Sequence, residues 1–88
     1  MVSWRLVFTS HAQRDAKKIA GAGLRSRVES LLEIFKRDPF QSPPRYERLL
    51  SELKGAYSRR INIQHRFVYQ VLESERLVKI LRLWTHYE

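Results

Sequence analysis

Arg59, Arg60, Arg66 and Arg82 fall in a stretch patterned as β-strand rather than in a solvated tail, and His86 stands near the end of the sequence. A sheet that places arginine where valine would fit better presents fixed positive charge to something. Phosphate is the natural candidate, because the guanidinium fork matches its oxygens and stays charged at any relevant pH. An imidazole of ordinary pKa, ~6.5, moves a proton near neutrality and would turn a phosphate-binding face into a phosphate-cleaving one. A metal-assisted alternative finds little support: the three histidines are far apart, there is no cysteine, and no strand carries paired carboxylates. No cofactor is implied.

The elements that must hold these groups are legible in outline. Residues 3–8 alternate weakly and predict a first strand. Ser10 followed by Gln13 has capping-box spacing, so a helix is expected from Ser10. Ala12, Ala16, Ile19 and Ala20 form its narrow apolar stripe, and Gly21 and Gly23 end it. Leu24, Val28, Leu31, Leu32 and Phe35 give a second helix a buried face, which Asp38-Pro39 stops. Residues 39–45 read as a stiff connector. Residues 44–55 read as a short helix, with proline at the start, glycine after the end and Leu49, Leu50 and Leu53 apolar. Strands are expected at about 57–63, 66–72 and 77–86, with turns at 62–65 and 73–76. The order implies an α+β domain spanning 1–88: an N-terminal strand, two helices on one face of an antiparallel sheet, and a closing three-stranded meander.

Alternation then assigns faces. Phe67, Tyr69 and Val71 share a buried side, with Leu81 and Leu83 expected beside them. The open face gathers Arg60, Arg66, Arg82 and His86, together with Val68, Ile80 and Trp84, which would floor a groove or be covered by a partner. His65 reads as a turn or packing residue, and Trp4 and Trp84 as core or groove floor. With 17 basic residues against 9 acidic ones, the net charge of +8 is spread over both halves, so basicity belongs to the whole domain. Nucleic acid, an anionic membrane or an acidic protein is the partner class this favours. A hydrophobic content of 43% argues for a folded chain, the absence of cysteine for the cytoplasm, and the lack of a long apolar run against a membrane span.

Four runs in order carry a family resemblance: Tyr57-Ser58-Arg59-Arg60-Ile61, His65-Arg66-Phe67-Val68-Tyr69, the closing His86-Tyr87, and Glu47 eight residues before Gly55. Together with Pro39-Phe40 after the second helix, they resemble the YoeB/Txe branch of the RelE-type toxins over nearly the whole chain. The resemblance implies a cytoplasmic bacterial toxin of a toxin–antitoxin pair, an endoribonuclease that cuts messenger RNA in the ribosomal A site and is silenced by a small acidic antitoxin. It implies no membrane partner and leaves a homodimer open. It also implies an extended segment at Glu47, against the helix that the residues themselves suggest.

The family's functional positions fall on Glu47, Arg60, Arg66, His86 and Tyr87. On that resemblance Glu47 is the base for the 2′-hydroxyl. Without the resemblance it is a surface glutamate balancing its neighbours Arg45 and Arg48. Arg66 would stabilise the phosphate, or else pair across strands with Glu73 or Glu75. His86 would be the acid, with Tyr87 as the alternative, donating a proton or stacking on a base. Arg60 would hold an adjacent phosphate, and Arg59 an RNA contact or a structural one. Leu50 stands where the family often has lysine, so Arg48 or Lys54 would supply that charge. Basic helix residues Arg14, Lys17, Lys18, Arg25 and Arg27 suit ribosomal RNA or the antitoxin. Two other readings stay open: a basic module that binds RNA or ribosomes without cutting, and a gyrase-directed toxin of the ParE-like branch, against which His86-Tyr87 argues.

Overall fold

In a computed structural model, residues 3–43, 45–48, 55–62 and 65–83 are described. The expectations for Leu50, Lys54, Trp84, His86 and Tyr87 lie outside those residues. The elements run β1 (Arg5–Phe8), α1 (Ser10–Gly21), α2 (Arg25–Arg37), β2 (Tyr46–Arg48), β3 (Ala56–Arg60), β4 (Arg66–Leu72) and β5 (Leu77–Arg82). Five strands form one sheet in the order β1-β5-β4-β3-β2. The meander β3-β4-β5 is antiparallel, as expected. The sheet as a whole is mixed, however, because β1 pairs parallel with β5, Arg5 opposite Leu77 and Phe8 opposite Ile80. A strand followed by a helical hairpin arrives at the sheet in either sense. No local signal distinguishes the two.

Both helices cover one face. Ala12 and Ile19 of α1 and Val28, Leu31 and Phe35 of α2 are buried against Phe67, Tyr69, Val71, Val78 and Ile80. Phe35 meets Phe67 edge-on at 5.1 Å and Tyr69 at 4.5 Å, the centre of this core. The cap of α1 is Thr9, one residue before the expected Ser10, its hydroxyl accepting the Ala12 N–H. At the other end Gly23 takes φ +75°, and the N–H groups of Gly23 and Leu24 bond the carbonyls of Ala20 and Ile19. That paired closure needs a left-handed residue, and glycine supplies it without strain.

Two expectations change at the sheet. Tyr46–Arg48, expected as part of a helix, is an edge strand paired with β3. Its local preference yields to packing: the Tyr46 ring lies 5.6 Å from Tyr57 and 6.1 Å from Phe40. In β5 the faces are reversed from those expected, with Val78 and Ile80 in the core and Leu81 half-buried. Tyr69 opposes Ile80 while Val68 opposes Arg82, so Leu81 is an extra residue, a bulge that shifts alternation by one. Leu83, past the bulge, is buried as expected, and Val68 lies on the face away from the helices, also as expected.

Candidate active site

Register gathers the functional side chains from three strands. Glu47 sits opposite Ser58, Ser58 opposite Val68, and Arg60 opposite Arg66. Alternation sends all of them to the face away from the helices. Among the described residues, a concave pocket of about 320 Å³ is lined there by Arg45, Glu47, Ser58, Arg60 and Arg66. The Arg66 guanidinium stands 3.9 Å from the Glu47 carboxylate and donates to the Ser58 hydroxyl at 3.4 Å. The Arg66 side chain is only 20% exposed against 50% for Glu47, so the cation is held by the wall and the carboxylate opens to solvent. Three guanidiniums against one carboxylate make the pocket a net anion attractor, walled in part by protein and therefore less screened than open surface.

Three of the predicted site residues line this pocket. Glu47, Arg60 and Arg66 come together as expected, and Arg66 pairs with Glu47 among the described residues, not with Glu73 or Glu75. Arg48 alternates onto the opposite face from Glu47 and does not line the pocket. Arg45, noted in the sequence only as a neighbour of Glu47, lines it instead. Ser58 is a further lining residue without an assigned role. Its signal was its parity with Arg60.

Of the two readings open for Arg59, RNA contact or structural residue, its surroundings fit the structural one. It is 1% exposed, donates to the Tyr69 hydroxyl at 3.0 Å and to the Pro39 carbonyl at 2.8 Å, and lies over the rings of Tyr46 and Phe35. A guanidinium enclosed this way is framework, and it cannot reach RNA. Burial pushes the Tyr69 phenol up to about 12, with the charge and hydrogen bond of Arg59 offsetting part of the effect. Arg82 also lies apart from the pocket: it makes a two-pronged pair with buried Asp15, and that hydrogen bonding holds the guanidinium more firmly protonated than usual. His65 is buried in the turn before β4, as expected of a packing residue.

Comparison with known proteins follows the same outline. The profile of the YoeB-like toxin of bacterial type II toxin–antitoxin systems matches residues 5–87. Toxin YoeB of Synechocystis sp. is 37% identical over 76 residues, covering 86% of this chain and 80% of that protein. The YoeB dimer of Staphylococcus aureus superposes with a TM-score of 0.81 at 31% identity, covering 96% of this chain and 98% of the other. The YoeB–YefM complex of the same organism gives 0.78 at 31% identity, with the same coverage. With a match over nearly its full length and a pocket built from the residues that suggested the family, this chain belongs to the YoeB-like toxins of bacterial type II toxin–antitoxin systems.

Proposed function

We propose that this toxin is a metal-independent endoribonuclease that cuts messenger RNA in the ribosomal A site and so stops translation in the cytoplasm. The observation that supports it best is the placement of a carboxylate and a guanidinium 3.9 Å apart in an arginine-lined pocket. In a ribonucleotide the 2′-hydroxyl and the 3′-phosphate are neighbours. A base for one and a cation for the other must therefore stand within a few ångströms of each other. Glu47 takes the 2′-hydroxyl proton, and the 2′-oxygen attacks phosphorus. Arg66 stabilises the negative charge that builds on the phosphoryl oxygens. The P–O5′ bond breaks as His86 delivers a proton to the leaving oxygen, and a 2′,3′-cyclic phosphate remains. Arg60 and Arg45 hold adjacent phosphates, and Tyr87 is the alternative donor or a base-stacking ring.

An acidic antitoxin chain lying over the pocket would inhibit by occupying the phosphate position, in keeping with a relative that forms a complex with YefM. Association in pairs is proposed on the same footing, from the YoeB dimer. The test uses ribosomes programmed with a short defined message, and the same message free in solution. A cut within the A-site codon, made only on ribosomes and lost in Glu47→Gln/His86→Gln, is the expected result. Tight ribosome binding with no cut would make the chain a binding module and remove the acid–base roles.

A further inference from the structure

Glu47 and Arg66 belong to strands that do not touch. β3 runs between β2 and β4, so their backbones are two strand spacings apart, roughly 10 Å. The 3.9 Å between carboxylate and guanidinium is therefore made by two side chains reaching toward each other over β3. The β3 residue beneath that reach is Ser58, opposite Glu47 on one side and opposite Val68, two residues from Arg66, on the other. Ser58 lines the pocket yet is 1% exposed, as fits a residue with two longer side chains closing over it. A small side chain is needed there, because a longer one would stand between the two charges. Alanine would meet that need equally well. What serine adds is a hydroxyl, to which Arg66 Nη1 donates at 3.4 Å.

The geometry points to Ser58 as a positioning residue: its hydroxyl holds the Arg66 guanidinium over β3 and keeps it aimed at the scissile phosphate. This rests on the proposed role of Arg66 in stabilising the phosphoryl charge. Such stabilisation needs a donor already in place when the charge develops, and a displacement of about 1 Å lowers the rate ~10²-fold. Two forces act on Arg66 without fixing its direction. Arg60 stands directly opposite it across the strands, and like charges so placed repel. Glu47, half open to solvent, attracts it from 3.9 Å. A hydrogen bond is directional where these are not. It is long in the free protein, and bonds at such sites tighten when substrate is seated. Its use of one Nη1 hydrogen leaves the remaining N–H groups of the fork for phosphate oxygens.

The test is a double-mutant cycle in single-turnover cleavage on programmed ribosomes, with wild type, Ser58→Ala, Arg66→Ala and the double variant. Alanine keeps the space under the guanidinium and removes only the acceptor. Ser58→Ala is expected to slow cleavage about 10–100-fold, with ribosome affinity within about twofold of wild type. In the Arg66→Ala background the same change should slow cleavage by less than about twofold, because the group it holds is gone. A wild-type rate for Ser58→Ala, equal losses in both backgrounds, or a loss carried by affinity rather than rate overturns the role. A wild type that does not cut, or Arg66→Ala as fast as wild type, instead removes the functional proposal itself, and this inference with it. If circular dichroism finds Ser58→Ala unfolded, the same cycle is run with Ser58→Cys, whose sulfur is a weak acceptor in a side chain of similar size, and the same outcomes decide.

Discussion

Adjacent arginines in β3 have opposite fates, and the difference defines what each can do. Arg60 faces the pocket, whereas Arg59 is enclosed among Phe35, Tyr46, Tyr69 and the Pro39 carbonyl. Period-two alternation makes it plain from the sequence that the two must part. Parity with the open face already sent Arg60 outward and Arg59 inward; the enclosure itself was not legible, because it is assembled from α2, the loop after it, β2 and β4. Arg59→Leu is expected to lower stability by about 2–4 kcal/mol in urea unfolding, since the Tyr69 hydroxyl and the Pro39 carbonyl lose a charged donor in a dry site. Arg66→Ala should do the reverse: little change in the unfolding midpoint, and cleavage on programmed ribosomes slower by about 10²–10³. A comparable loss of stability in both variants would contradict the division of roles.

The least legible element is β2, three residues at the edge of the sheet that carry Glu47. Its neighbourhood has helical composition, and strand geometry comes from pairing with β3 and from the Tyr46 ring resting on Arg59 at 4.9 Å. So short a strand has little intrinsic preference to hold it. Tyr46→Ala should therefore slow cleavage more than its stability loss of about 1–3 kcal/mol accounts for, when both are measured below the unfolding transition. The two helices were legible throughout, from the spacing of Val28, Leu31 and Phe35 to the glycine at the end of α1. What the spacing hid was Asp15, a carboxylate on the apolar stripe whose partners lie 67 and 68 residues away. Gly23→Ala, at φ +75°, should destabilise by about 1–2 kcal/mol in thermal unfolding and leave the cleavage rate of folded protein unchanged.

For the molecule as a whole, the order of predicted elements correctly suggested an α+β fold, while the parallel pairing of β1 depended on contacts that no window of sequence contains. The buried Tyr69 phenol ties stability to alkaline pH. Its folded pKa of about 12 lies above the unfolded 10.0, so the folded chain holds that proton more tightly. The contribution is fully present below pH 10 and is lost as pH rises toward 12. Urea unfolding should show a decline on the order of 2–3 kcal/mol across that window, and a flatter profile in Tyr69→Phe. The net charge of +8 should make ribosome affinity fall steeply with added salt, while stability changes far less.

The pairing of Arg5 with Leu77 places the two ends of the fold side by side. During synthesis β1 emerges before β5, and it waits for its strand partner until residues 77–80 have been made. The strand neighbour of β1 is β5, and the bonds from Thr9 and Asp15 close on residues 81–83. The order of translation thus acts as a timer. A nascent chain of this toxin cannot close its sheet at β1 until β5 has left the ribosome, so the element made first is among the last to be tied in place.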